Sequence, residues 1–187
     1  MAKKESTFLK MVITLFLVTT ISSAAVGYVY EITKEPIARA MLNKKIKAIK
    51  EVVPEFDNNP INEKYSKEVQ GGDLSFYPAK KEGILVGTAV ETFTSKGFSG
   101  KIKLMVGLLP SRTIYDIAVL EHKETPGLGD KMVKSKSDFS AQFKAKDPAV
   151  FKLIVKKDGG DVDAITAATI SSRAYCDAVQ RACDNIK

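Results

Sequence analysis

The residues best suited to chemistry lie in segment 161–172, which reads DVDAITAATISS. Its hydroxyl side chains lie around two alanines and are those of Thr166, Thr169, Ser171 and Ser172. A glycine turn precedes the segment and a helical pattern follows it. A helix N-terminus offers unpaired N–H groups and a positive dipole end to an anion such as a phosphoester. From composition alone an ordinary helix cap is favoured, with a Ser or Thr oxygen accepting from a first-turn N–H.

A second candidate segment is 122–129, which reads HKETPGLG. Thr125-Pro126-Gly127 predicts a type II turn, because Pro suits the second position of that turn and Gly the third. Taken alone, this segment predicts a tight loop and nothing more.

The residue order of the first segment resembles a known acceptor motif. Asp163–Thr169, DAITAAT, is similar to the Asp-x-x-Ser/Thr-Gly-Ala-Thr motif of flavin-transferase acceptor proteins. The resemblance implies that Thr169 receives an FMN moiety from FAD, joined through its phosphate. Asp163 is then either a recognition residue or the start of an Asx-turn. Ala167 replaces the usual glycine, and we expect it to have a negative φ because alanine is disfavoured at positive φ.

A second motif, Glu-Thr-Pro-Gly-Leu-Gly over residues 124–129, lies about forty residues before the acceptor motif and indicates one particular family. It is similar to the flavin-side loop of the G subunit of Rnf ion-translocating complexes, which the C subunit of sodium-pumping NADH:quinone oxidoreductases shares. The resemblance implies no catalytic residue, and it makes His122 a surface residue. The cofactor-binding residues that it implies are Thr169, Thr166, Ala168, Ser171, Glu124, Thr125, Leu128 and Gly129.

The family resemblance also implies a function. The chain would be an electron-transfer subunit of a membrane oxidoreductase complex, passing electrons through FMN between ferredoxin and NAD, with sodium or proton transport. Its partners would be the other membrane subunits and, transiently, a flavin transferase. Two alternatives stay open. One is a flavinylated carrier of another extracytoplasmic pathway, and the other is a non-redox, membrane-tethered binding module.

The first thirty residues predict a membrane anchor. Residues 11–30 carry no charge, and 20 helical residues span roughly the 30 Å of a bilayer core. Lys3, Lys4 and Lys10 precede this run, which predicts a cytoplasmic N-terminus and a flavin domain outside the inner (cytoplasmic) membrane. A cleaved signal peptide is the alternative, since small residues occur at 22–25.

The remaining residues predict an α+β domain. A helical pattern over 35–53 has Pro36 in its first turn, and residues 57–75 form a loop with room for one short strand. Four antiparallel strands joined by tight turns follow, over 76–79, 84–94, 101–109 and 113–121.

Beyond the strands, Asp130 and Ser135 are candidate helix N-caps, and a short helix is predicted over 138–143. A strand over 149–156 and a last helix from about Ser171 complete the domain. We divide the chain into an anchor, a membrane-proximal helix and loop, and an FMN-binding domain, over residues 1–30, 31–75 and 76–187.

Composition excludes several other functions. Of the net charge of +7, +2 lies in the first thirty residues. The sequence has no basic stripe with stacking aromatics, so nucleic-acid binding is not indicated. The two cysteines, Cys176 and Cys183, are two helical turns apart and predict buried free thiols. Without a CxxC pair, a cysteine array or a second histidine, no metal or iron–sulfur site is expected.

Overall fold

A single long helix begins the described part of the chain. The computed structural model describes residues 8–186, and the chain divides into two compact units, Met1–Asn43 and Lys44–Lys187. Helix α1 runs from Phe8 to Val52, and its apolar N-terminal part is long enough to cross a membrane. Lys3 and Lys4, on which the predicted orientation depends, lie outside the described residues.

The helical structure predicted over 35–53 is confirmed as far as Val52, but its predicted start near Pro36 is wrong, because α1 continues through Pro36 without a break. Proline favours the first helical turn because its missing N–H would have no partner there, and inside a helix it removes one hydrogen bond. Pro36 was therefore compatible with a helix start but did not require one. Residues 31–35, Glu-Ile-Thr-Lys-Glu, contain no glycine, asparagine or proline that would end the preceding helix.

Five strands form an antiparallel meander in the order β1-β2-β3-β4-β5. The strands are β1 Tyr65–Val69, β2 Gly72–Lys81, β3 Ile84–Gly97, β4 Gly100–Leu108 and β5 Ile114–Glu121. Every neighbouring pair of strands is antiparallel, as the short connections require, so the predicted meander is confirmed. β1 and the first residues of β2 precede residue 76, where the flavin domain was predicted to begin.

Both faces of the sheet are covered. The C-terminal helix α2, Thr169–Asn185, packs on one face, where Ala174, Ala178 and Ala182 are fully buried and let the helix approach closely. The Thr92 hydroxyl on β3 donates to the Ala178 carbonyl at 2.8 Å. On the other face the last turns of α1 bury Ile49, Val52 and other side chains. The α+β class, with one apolar N-terminal helix and an antiparallel sheet, is thereby confirmed.

The chain between β5 and α2 carries three short 3₁₀ helices, Gly129–Met132, Phe139–Phe143 and Lys156–Asp158. The second confirms the short helix predicted over 138–143. The predicted caps are wrong: Asp130 lies inside the first 3₁₀ helix, where Lys136 binds its carboxylate at 2.5 Å, and Ser135 begins no helix.

The predicted strand over 149–156 is also wrong. Its one ladder contact is an isolated bridge between Val155 and Val162. The N–H groups of Val150 and Phe151 instead donate to the Asp147 carbonyl in a turn. The apolar residues of this run still pack into the core, Leu153 and Val155 among them, so burial occurs without a neighbouring strand.

Candidate functional site

The two motif segments meet at one open cavity of about 320 Å³. Its walls are the turn between β3 and β4, the loop that follows β5, and the start of α2. The residues that line it are Phe98, Glu124, Thr125, Leu128, Gly129, Ala167, Ala168, Thr169, Ile170 and Ser171. Every predicted site residue except Thr166 is on this surface, and Phe98 and Ile170 are additions that the sequence motifs did not indicate.

Thr166 lies in the turn that leads into the cavity. The Ala168 N–H donates to the Ile165 carbonyl at 3.0 Å, with Thr166 and Ala167 between them. Ala167 has a φ of +61°, so the predicted negative φ is wrong. The third position of a type II turn requires a positive φ, and the glycine of the acceptor motif suits it. Here Ala167 occupies this position, and its positive φ strains the backbone.

Replacing Ala167 with glycine is expected to stabilise the folded chain by about 0.5–1 kcal/mol. Left-handed backbone costs an L-residue roughly 1–2 kcal/mol, and the greater unfolded-state freedom of glycine offsets part of the gain. Urea unfolding of both proteins measures the difference. Ala164→Gly, at an exposed neighbouring position without a positive φ, is the control and should destabilise. A less stable Ala167→Gly chain would contradict the turn assignment.

Ser172 holds the turn against α2. Its fully buried hydroxyl accepts from the Ile165 N–H at 2.9 Å and donates to the Ala168 carbonyl at 3.0 Å. The family resemblance implied Ser171 and not Ser172 as a cofactor-binding residue, so this role of Ser172 was not predicted. Only the turn geometry shows that the two serines have different partners.

The start of α2 has no side-chain cap. Its N-cap residue is Ala168, and no described group accepts from the N–H groups of Thr169, Ile170 or Ser171. Thr169 is half-buried, and its hydroxyl makes no hydrogen bond within residues 8–186. This arrangement does not support the interpretation of the segment as a helix cap. Free N–H groups beside an unbonded hydroxyl fit an attached phosphate group.

Glu124 connects two walls of the cavity. Its buried carboxylate accepts from the Ser99 N–H at 2.8 Å through Oε1 and from the Ser171 hydroxyl through Oε2. We call these two contacts the Glu124 bridge. They join the turn between β3 and β4 to the first turn of α2.

The loop after β5 has the predicted turn. Gly127 has a φ of +78°, and the Leu128 N–H donates to the Thr125 carbonyl at 3.2 Å, which confirms a type II turn. His122 is half-buried and accepts from the Glu124 N–H through Nδ1 at 3.2 Å, so it supports the loop and lies outside the cavity lining.

Three apolar side chains at the cavity remain accessible to solvent. Phe98, Leu128 and Ile170 are 68%, 40% and 47% exposed. A flat aromatic ring between them would cover apolar surface that now faces water. Together with the free N–H groups of α2, these walls fit both ends of FMN, the isoalloxazine ring and the phosphate.

Asp163 lies outside the cavity lining. Its carboxylate pairs with Lys156 at 2.7 Å, and its N–H donates to Gln142 Oε1 at 2.8 Å. Within the described chain the carboxylate makes no Asx-turn hydrogen bond. A role in recognition by the modifying enzyme remains a prediction.

Comparisons with known proteins agree with this site. A family profile described as an FMN-binding domain matches residues 97–184. The chain is 36% identical over 171 residues to the G subunit of the ion-translocating oxidoreductase complex of Shewanella amazonensis, covering 86% of this chain and 80% of the relative. The same-named protein of Erwinia tasmaniensis is 36% identical over 178 residues, covering 90% of this chain and 85% of its own length.

A third relative, the same-named protein of Haemophilus influenzae strain PittEE, is 34% identical over 172 residues and covers 88% of this chain and 82% of its own length. The similarity to these relatives thus extends over most of both chains, and the profile match over residues 97–184 includes the cavity and its two motifs. This chain therefore belongs to the family of G subunits of ion-translocating oxidoreductase complexes and carries their FMN-binding domain.

Proposed function

We propose that this chain is an electron-transfer subunit of a membrane ion-translocating oxidoreductase complex of the Rnf type, with FMN bound covalently to Thr169. The observation that carries the proposal is the cavity itself. Two motifs about forty residues apart form its opposite walls, and the Thr169 hydroxyl lies on one of them. Intact mass of the purified chain, compared with its Thr169 variants, tests the proposal.

Attachment would be a phosphoryl transfer from FAD to Thr169. The hydroxyl oxygen bonds to the flavin-side phosphorus, the pyrophosphate bond breaks, and AMP leaves. No described base contacts the hydroxyl, so a flavin transferase would take its proton. The chain contributes the free N–H groups of Ile170 and Ser171, which would stabilise the single negative charge that the phosphodiester keeps.

Bound FMN supplies reversible electron storage, and the protein supplies position and environment. Ion-translocating relatives support a relay between other subunits of such a complex. The exposed Phe98 and Leu128 support a ring near the surface, where two partners could exchange electrons with it. By the Rnf resemblance the end partners are ferredoxin and NAD, and the coupling ion is sodium or a proton.

The relatives favour this function over a carrier of another extracytoplasmic pathway, because their names place them in ion-translocating complexes. The uncapped start of α2 weighs against a non-redox module in which the segment only caps a helix.

The apolar part of α1 and the ion-translocating relatives support a membrane protein. We further propose an inner-membrane anchor with a cytoplasmic N-terminus and the sheet domain outside. A cysteine at position 66 should then react with an impermeant thiol reagent added to intact cells. Ser66 is exposed on β1 and donates no side-chain hydrogen bond, so Ser66→Cys should not disturb the fold.

The native cysteines give a low background for this experiment. Burial raises the pKa of the Cys176 and Cys183 thiols to about 12, so little reactive thiolate exists at neutral pH. The wild-type chain is the matched control. Labelling of Ser66→Cys only after cell lysis would place the sheet domain in the cytoplasm and overturn the proposed orientation.

A further inference from the structure

The side chain of Glu124 is buried and has no ion-pair partner among the described residues. The side chain is 4% exposed, and no described lysine, arginine or histidine lies within ion-pair distance of its carboxylate. Carboxylates are rarely buried without a cationic partner, because desolvation costs several kcal/mol. A residue kept at such a cost needs compensating contacts.

The compensating contacts all lie at the proposed flavin site. The Glu124 bridge supplies two hydrogen bonds, from Ser99 and Ser171. Two glycines leave room for it: a Cβ on Gly97 would lie 2.9 Å from Oε1, and a Cβ on Gly129 would lie 2.8 Å from Oε2. The surrounding backbone is therefore closely fitted to the carboxylate from both sides.

The bridge ends next to two residues of the proposed flavin site, Phe98 and Thr169. Ser99 follows Phe98, the exposed aromatic side chain on one wall. Ser171 is in the same helical turn as Thr169, the proposed attachment residue on the other wall. Fixing Ser99 and Ser171 to one carboxylate fixes the separation of these walls.

We propose that Glu124 is a positioning residue of the flavin site, which holds Phe98 and Thr169 at a set separation and places its carboxyl oxygen atoms beside the ring. The inference rests on the proposed function. These electron-rich oxygen atoms disfavour the reduced flavin and so lower its midpoint potential. The bridge orders the walls and thereby orients the ring.

The full chain, loaded by a flavin transferase, provides the test. Visible circular dichroism reports the asymmetric setting of the attached flavin, and redox titration gives its midpoint potential. Glu124→Ala should lose most of the dichroism. Glu124→Gln keeps an oxygen for the Ser99 N–H, so it should retain the dichroism while its potential shifts upward. Ser171→Ala should reduce the dichroism, and adding it to Glu124→Ala should cause no further loss because both remove the same bridge.

Glu121→Gln is the matched control, since Glu121 is exposed at the end of β5 and pairs with Lys103 at 2.7 Å. It should change neither signal. If the Glu124 and Ser171 variants lower only the free energy of unfolding, with dichroism and potential unchanged, Glu124 is a structural residue and the inference is wrong. If Glu124→Ala does not fold, Glu124→Gln and Ser171→Ala decide by the same signals. A wild-type chain without flavin mass would instead overturn the proposed function.

Discussion

Thr169→Ala and Thr169→Val chains are expected to carry no covalent flavin, whereas the wild-type chain gains the mass of one FMN unit. Attachment requires the hydroxyl oxygen, and neither replacement has one. Valine closely matches threonine in shape, and Thr169 is only half-buried and makes no hydrogen bond in the described chain, so the fold should persist. Mass spectrometry of intact protein, co-produced with a flavin transferase, measures the result.

Thr166→Ala is the matched control for attachment. Thr166 lies three residues earlier in the same motif, is exposed, and is outside the cavity lining. We expect this variant to lower the flavin-loaded fraction without abolishing it. Covalent flavin that persists in Thr169→Val would exclude Thr169 as the attachment residue. Complete loss in Thr166→Ala, with normal loading of Thr169→Val, would assign the bond to Thr166.

Gly129→Ala is expected to produce the largest loss of stability at the site, about 1–3 kcal/mol, together with poor flavin loading. An added Cβ would lie 2.5 Å from Ser171 Oγ and 2.8 Å from both Cβ and Oε2 of Glu124. Overpacking of this size forces neighbouring groups to move, and here those groups are the Glu124 bridge. Urea unfolding gives the free energy, and intact mass gives the loaded fraction.

Two further variants isolate the steric cause. Gly127→Ala lies in the same loop with open space around its Cβ, so only its φ of +78° costs energy, about 1–2 kcal/mol, and loading should be retained. Adding Ser171→Ala to Gly129→Ala removes the nearest atom and should recover part of the lost stability. Equal loading in Gly129→Ala and wild-type protein would show that the bridge can shift without affecting the site.

Patterns that depend on neighbouring residues were predictable from the sequence. Alternating apolar residues and short turn segments indicated four of the five strands, and the tight turns left only antiparallel pairing. Thr-Pro-Gly indicated its own turn type, since the φ preferences of proline and glycine act within three residues. The acceptor motif and the loop motif identified most of the cavity lining through family resemblance.

Contacts between distant segments were not predictable in this way. Residues 149–156 have a strand-like composition, yet they turn and pack singly, because no strand edge is placed beside them. Pro36 resembles a helix start and lies within α1. Ala167 takes a positive φ because Ser172, five residues later, holds the turn in place.

The sequence by itself determined the apolar anchor segment, the meander and the choice of Thr169 as the proposed attachment residue, because each depends on residue order within a short stretch. Only the tertiary structure decided that Phe98 and Ile170 share a cavity with Thr169, and that the carboxylate of Glu124 joins Ser99 to Ser171. Ser99 and Ser171 are 25 and 47 residues from Glu124 along the chain and lie on separate elements. Their meeting depends on how α2 packs across the sheet, which no local pattern encodes.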